Sequence, residues 1–236
     1  SMSKTTSPGG TINFSVFDDR SLVTSMYVGT DATGATETDP TGGGAAGNNM
    51  VVVTENEYDD GTAGGNGNLT STWAWVDGST SRRTDIAYDF RNRQTSVTGE
   101  ENAYSETTYD NLNRPLVRQT RNGSVSAVLL SKSQTDYDNR GRVFRTTNWA
   151  VNPSTGSIGN SLVSNTWYDA GSNVIKSLPA VALLLHKTAY DILGRATAQY
   201  VGFDVDESTY AEALTVTGDT ILEQQTMTYN EIGTVL

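Results

Sequence analysis

Polar and apolar residues alternate along this chain in short runs, and most of the runs end on an aromatic residue followed by Asp. Two places before Tyr109, Tyr137, Tyr168 and Tyr190 stand Thr107, Thr135, Thr166 and Thr188. Four places before the aromatic residues stand Thr54, Thr84, Ser105, Ser133 and Ser164. A period of two puts these hydroxyls on the same face of a strand as the aromatic ring. The positions between them are mostly charged, at Glu55, Glu57, Asp85, Glu106, Asp136 and Lys187, so the pattern predicts strands with one wet face and one half-buried face. Only the stretch from Asp206 to Leu214 reads as a short helix. Asp206 or Ser208 would cap it, with Tyr210, Ala211, Ala213 and Leu214 behind.

The aromatic–Asp ending recurs at Phe17-Asp18, Tyr58-Asp59, Tyr88-Asp89, Tyr109-Asp110, Tyr137-Asp138, Tyr168-Asp169 and Tyr190-Asp191, and imperfectly at Tyr229-Asn230. Successive copies are 41, 30, 21, 28, 31, 22 and 39 residues apart, which describes a unit of about 21 residues carrying insertions. Tyr137 to Arg142 and Tyr190 to Arg195 both read Y-D-x-x-G-R. Tyr88 to Arg93 and Tyr109 to Arg114 give the same string with Asn92 and Asn113 in the Gly place. Gly and Asn best tolerate the left-handed conformation. An Asp that opens a turn, with a left-handed residue three places later, predicts a type I turn closed by a G1 bulge. Each unit therefore reads as a β-hairpin. Departures fall at Leu22, Asn173 and Thr234 in the Arg place and at Ser21 and Ser172 in the Gly place, and an insertion separates Tyr58-Asp59 from Gly67-Asn68.

Tandem Y-D-x-x-G-R units separated by Thr-rich strands resemble the YD repeats of the Rhs (rearrangement hotspot) family, a repeat shared with wall-associated bacterial proteins and teneurins. The resemblance spans residues 13 to 236 as eight units, the last one cut short. It implies an all-β chain of tandem hairpins forming a curved, solenoid-like or partial-barrel sheet. In the long members that sheet closes around a toxin domain, and in surface proteins it is associated with carbohydrate or cell contact. The Asp-Pro-rich core signature of the toxin-releasing members is not found in this sequence. Residues 1 to 12 are expected to be a disordered or extended lead-in, with Ser1 ahead of Met2 a scar of expression. The whole is expected to be a piece of a larger secreted or cell-surface parent.

Insertions are expected at residues 29 to 49, 150 to 160 and 202 to 219, the first of them flexible because it is almost all Gly, Thr, Ala and Asp. Val23 to Gly29 and Ala196 to Gly202 sit at matching offsets from their aromatic pairs, so Tyr27, Tyr200 and Trp149 are expected at the entrances to these loops. Loop position and an aromatic face suit the stacking of sugars, and Trp73 and Trp75, which share a face, join them as candidate glycan contacts. Packing within the sheet is the competing role for the tryptophans.

Composition narrows the chemistry. The 236 residues include 34 Thr and 23 Gly, no Cys and one His, and carry a formal charge of −11. Disulfide, thiolate and His-cluster chemistry are excluded. An acidic chain is a poor partner for nucleic acid, whose phosphates need clustered Lys and Arg. The longest apolar run, Val181 to Leu185, is far too short for a spanning helix, so no membrane insertion is expected. Asp204, Asp206 and Glu207 are weak candidates for a Ca²⁺ site or for the carboxylates of a glycosidase, against a solvated loop. Gly64 to Leu69 has the look of one calcium-binding nonapeptide turn but reads better as an inserted turn. His186, with no nucleophile signature nearby, reads as structural. Arg93, Arg114, Arg142 and Arg195 either line up for an anionic ligand or pair with the Asp of their own turns, and pairing is favoured. The sum is a non-enzymatic YD-repeat scaffold fragment, needing no cofactor, whose partner is a carbohydrate or cell-surface polymer. The alternatives are a shell segment of a toxin-encapsulating protein and, further off, a carbohydrate-active enzyme.

Overall fold

The computed structural model describes residues 1–59, 67–100, 103–181, 184–204 and 209–236. The chain is all-β, and the described residues form sixteen antiparallel strands hydrogen-bonded in chain order and one short helix. It divides into two compact units, Ser1–Asn113 with Gln119–Val128, and Arg114–Arg118 with Leu129–Leu236. The first holds β1 (Met2–Thr6), β2 (Ile12–Phe17), β3 (Val23–Gly29), β4 (Val51–Tyr58), β5 (Leu69–Trp75), β6 (Ser81–Tyr88), β7 (Gln94–Thr98) and β8 (Ala103–Tyr109). β9 (Pro115–Asn122) contributes to both units. The second holds β10 (Leu129–Tyr137), β11 (Val143–Val151), β12 (Ile158–Tyr168), β13 (Val174–Leu178), β14 (Leu185–Tyr190), β15 (Ala196–Phe203), α1 (Tyr210–Ala213) and β16 (Thr220–Thr226). Among the described residues no helix is long and apolar enough to cross a membrane.

The hairpin tips follow the turn signature. At Asp18, Asp89, Asp138, Asp169 and Asp191 the backbone N–H donates to the carbonyl four residues on, and the residue three places on donates back to the Asp carbonyl. The left-handed position is filled at Asn92 (φ 59°), Asn113 (64°), Gly141 (81°) and Gly194 (75°), and also where the sequence departs from Gly and Asn, at Ser21 (65°) and Ser172 (71°).

A second irregularity accompanies six of the tips. Val16 pairs with Ser25 while Phe17 pairs with Val23, leaving Thr24 unmatched in the ladder. The same slip leaves Thr70, Thr95, Phe144, Ile175 and Thr197 unmatched. A bulge frees a carbonyl on the partner strand. The hydroxyls of Thr24, Thr70 and Thr197 donate to those of Val16, Glu57 and Ala189, each at 3.2 Å.

Little is buried. Among the described residues eight hydrophobic side chains are buried, and Ile12, Phe14 and Met50 of the first unit form one cluster with Tyr27, Ala32 and Ala35 against it. The repeat aromatics are half-buried rather than interior. The insertion between β3 and β4, expected to be flexible from its composition, is instead a series of hydrogen-bonded turns. Asp31 and Asp39 cap Thr33 and Thr41, Asn48 donates to the carbonyls of Thr33 and Pro40, and Pro40 is fully buried. Short polar side chains substitute there for an apolar core.

Two further expectations are corrected. Lys187, assigned to the wet face, is 3% exposed. The insertion after β15 covers it, and its ammonium group donates to the carbonyls of Glu212 and Thr215 and lies 2.7 Å from Asp219 Oδ2. α1 is capped by Thr209, not by Asp206 or Ser208, because Thr209 and Glu212 form a reciprocal capping box. Asp206, Glu207 and Ser208 lie outside the described residues.

A serine held left-handed is strained where glycine is not, by about 1 kcal/mol. Ser21→Gly is therefore expected to stabilise the chain by roughly that amount and Gly141→Ala to destabilise it by 1–2 kcal/mol or so, as read by urea denaturation. The opposite sign at Ser21 would contradict the assigned turn.

Candidate functional site

The residues that define the repeat meet at the hairpin tips, and they do so between neighbouring hairpins as well as within each one. The Asp carboxylate organises its own turn. Its Oδ1 accepts from the backbone N–H groups two and four residues on: Arg20 and Leu22 for Asp18, Arg91 and Arg93 for Asp89, Arg140 and Arg142 for Asp138, Leu193 and Arg195 for Asp191, all at 2.8–3.1 Å. Its Oδ2 accepts from the Arg Nε of the same turn, at 2.7 Å for Arg93, Arg142 and Arg195. The side chains of Arg93 and Asp89 are 16% and 18% exposed, so these are partly desolvated, doubly hydrogen-bonded pairs and not loose surface ion pairs.

The other end of the guanidinium reaches the next hairpin. Arg93 Nη1 donates to Asp110 O (2.7 Å) and Arg142 Nη1 to Asp169 O (2.9 Å). Each guanidinium lies over the tyrosine ring of the following unit: Arg93 over Tyr109 (4.8 Å), Arg114 over Tyr137 (4.5 Å), Arg142 over Tyr168 (4.5 Å) and Arg195 over Tyr229 (4.6 Å). The tyrosine hydroxyl then reaches back to the carbonyl just past the preceding unit's Arg place. Tyr58 donates to Val23, Tyr109 to Gln94, Tyr137 to Pro115, Tyr168 to Val143, Tyr190 to Val174 and Tyr229 to Ala196, at 2.7–3.2 Å.

Departures from the signature are compensated in kind. Where Leu22 stands in the Arg place, Arg20 makes both contacts from two residues earlier, Nε to Asp18 Oδ2 (3.0 Å) and Nη1 to Asp59 O (2.6 Å). Asn173 closes its own turn through Nδ2 to Asp169 Oδ2 (2.8 Å). Its side chain is too short to stack onward, and among the described residues no cation covers Tyr190.

These contacts hold the carboxylates ionised. The hydrogen-bonded Arg93 guanidinium, above all, holds Asp89 below the usual carboxylate range. For Asp18 and Asp191 the leading causes are the backbone N–H groups of Leu22 and Arg195. At Asp138 desolvation is the largest single influence and pushes upward, but the hydrogen bonds from Arg142 and the Arg140 backbone, with the charge of Arg142, outweigh it.

The candidate glycan aromatics are all half-buried and engaged inside their own units. In the first unit Tyr27 packs on the Phe14 cluster, Trp73 carries Arg83 over its ring, and the Trp75 indole donates to Glu55 Oε2. In the second, Trp149 lies under Lys132, and Tyr200 lines a cleft of about 320 Å³ beside Lys187. Trp149 stands within β11, paired with Lys132 and Ser161, and not at a loop entrance, because β11 and β12 run on until only residues 152–157 connect them. His186 is exposed on β14. Asp204 is engaged in an interaction, and no group of three or more potential metal ligands occurs among the described residues.

No protein-family model matches the chain, and no curated protein does. Solved structures do. One is the crystal structure of TcdB2-TccC3-Cdc42, at 12% identity and a TM-score of 0.38, covering 96% of this chain. Another is the Photorhabdus luminescens Tc holotoxin pore with the TccC3 D651A mutation, at 13%, 0.38 and 98%. A third is TcdB2-TccC3, at 13%, 0.38 and 96%. The chain spans about 13% of the length of each of those chains. Likeness at that level does not bear on what this chain does.

The Asp–Arg half of the clamp was legible in the Y-D-x-x-G-R spacing, but the Arg–Tyr and Tyr–carbonyl halves were not. The signal available for them is that seven of the eight aromatic positions are Tyr and one is Phe, a bias toward a hydroxyl that an apolar position does not require.

Tyr137→Phe is expected to cost about 1 kcal/mol for the lost hydrogen bond and Tyr137→Ala about 2–3 kcal/mol, less than a fully buried ring, both by urea denaturation. Equal small losses would contradict the clamp. Because the folded carboxylates titrate below their unfolded value of about 3.9, the stability they confer is complete at neutral pH and is lost as the pH falls through about 4 and below. Arg142→Met should flatten that acid limb, and an unchanged limb would separate Arg142 from the titration.

Proposed function

We propose that this chain is a non-enzymatic structural scaffold, a YD-repeat segment of a larger secreted or surface-displayed protein of the toxin-encapsulating kind, with no catalysis or cofactor of its own. One observation carries the reading: the residues that define the repeat are spent on joining hairpin to hairpin. Asp closes the tip, Arg bridges to the next carbonyl and ring, and Tyr returns the contact. Groups engaged on every side by their own chain are not available as nucleophiles, bases or ligands. The depressed carboxylates are the opposite of what acid catalysis at neutral pH requires, and at Asp89 and Asp191 they are held by arginine and backbone amides of their own turns.

A scaffold of this kind is tested by force. Pulled from its ends in an optical trap, the chain should unfold at lower force when Arg142→Met removes a clamp. It should unfold at higher force when Asn173→Arg supplies the guanidinium that Tyr190 lacks. Forces unchanged by both substitutions, or turnover of a polysaccharide panel by the purified chain, would overturn the reading.

A further inference from the structure

Arginine reaches the next tip from two places in a turn, four residues after the Asp and also two residues after it. From the second place Arg91 Nη1 donates to Asn111 O at 2.7 Å and Arg140 Nη1 to Ala170 O, in each case the carbonyl one residue past the next unit's Asp. Two guanidinium groups therefore cross from the Asp89 tip to the Asp110 tip, and two from the Asp138 tip to the Asp169 tip. The turn opened by Asp169 carries Gly171 and Asn173 at these places. Among the tips described in full that have another tip after them, no other lacks arginine at both.

Between the Asp169 and Asp191 tips, within the second unit, lies an open cleft of about 550 Å³ whose walls include Gly171, Asn173, Asp191 and Ile192. The carbonyls that meet guanidinium groups at the other junctions have none here. Ile192 O takes no hydrogen bond from the described residues, and Asp191 O takes only the N–H of Gly194 in its own turn. A turn carbonyl in that position has room for both, since Asp169 O accepts from Ser172 N at 3.2 Å and from Arg142 Nη1 at 2.9 Å. The two carboxylates differ. Asp191 is matched by Arg195. Burial opposes the charge of Asp169, but the neutral side chain of Asn173, backbone amides and, least of all, Arg142 from the preceding tip hold it below the usual carboxylate range. Asp169 is thus ionised with no arginine in its own turn.

We propose that this cleft binds, in trans, the guanidinium group of an arginine residue on a partner polypeptide. Charge sets the first limit, because the net negative charge of the cleft and the formal charge of −11 on the chain favour a cation and oppose anions. Geometry sets the second. A planar guanidinium forks between two neighbouring oxygens, as the carbonyls of Asp191 and Ile192 require, whereas an ammonium group is a point charge. A hard metal ion needs about six or more oxygen ligands. The carboxylate oxygens here already accept from amide and guanidinium donors, and no group of three or more potential metal ligands occurs among the described residues. The lip sets the third limit. Ile192 is fully exposed and Leu193 is 71% exposed, apolar surface that the methylene stem of an arginine covers and a free guanidinium ion does not. The site rests on the geometry of the clamps and does not depend on the scaffold reading.

The test is a titration of ¹⁵N-labelled protein with the peptide acetyl-Gly-Arg-Gly-amide, following the backbone amides of Gly171, Asn173, Leu193 and Gly194. The same peptide with lysine or citrulline in place of arginine, guanidinium chloride and calcium chloride are titrated beside it. The arginine peptide should shift these amides with a dissociation constant on the order of 1 mM, and each of the other four should bind at least about ten-fold more weakly. Asn173→Arg, which fills the place in cis, should abolish the response. Should that variant lose the folded spectrum, the lysine and citrulline peptides decide. No shift up to about 50 mM arginine peptide, well above the affinity proposed, would overturn the site. So would an equal response to the lysine or citrulline peptide, or a response that survives Asn173→Arg in the folded protein. A response to guanidinium chloride as strong as to the arginine peptide, or to calcium alone, would overturn the partner arginine in favour of a free ion.

Discussion

A hairpin is marginal by itself in water, and these hairpins add little apolar burial to help. At Arg93 and Arg142 what joins one to the next, beyond the strand ladder, is a guanidinium held at three points. The Asp of its own turn fixes the Nε side, the carbonyl of the next turn takes Nη1, and the following tyrosine ring lies beneath the plane. Lysine would not serve, because a point charge on a flexible stem can neither fork between two oxygens nor stack flat on a ring. The type I turn and its left-handed residue matter because they place Asp and Arg four residues apart with the carboxylate already oriented by two backbone amides.

The clamp also explains how the array tolerates irregular spacing. Its contacts lie at the tips, so insertions at the other ends of the strands leave it intact. The steps between aromatic residues therefore range from 21 to 41 residues while the tyrosine contact recurs between the same two places in six of the seven successive pairs, Tyr88 being the exception. One insertion brings its own anchorage, with Lys187 under the helix and Asp219 beside it. A buried lysine left without its partner is costly, which ties the order of that loop to a single strand residue.

The hairpins and their turn type were readable because they rest on local chemistry: period-two alternation, Asp at the turn opening, and Gly or Asn at the left-handed place. Even Ser21 and Ser172 obey the same geometry, the ring and carboxylate around them overriding their weaker preference for it. The clamp was half readable, since the Asp–Arg pair is local and the Arg–Tyr contact is not. Three things were hidden for physical reasons. The bulge at Thr24 and its counterparts depends on ladder register, the burial of Lys187 on what a distant insertion covers, and the cleft between the Asp169 and Asp191 tips on which turns the ladder sets side by side. In the loop between β3 and β4, composition was misleading because Asp, Asn and Thr side chains can order a backbone by hydrogen bonds as firmly as apolar packing does.

A double-mutant cycle on Arg142 and Tyr168 tests the clamp most directly. Arg142→Met, Tyr168→Leu and the double variant are unfolded in urea beside the wild type, with Arg142 against Tyr190 as the non-contacting control. The account predicts a coupling energy of about 1 kcal/mol for Arg142 with Tyr168, in the range of a partly desolvated cation–π contact, and none with Tyr190. Additive losses for Arg142 and Tyr168, or equal coupling in the control pair, would contradict it.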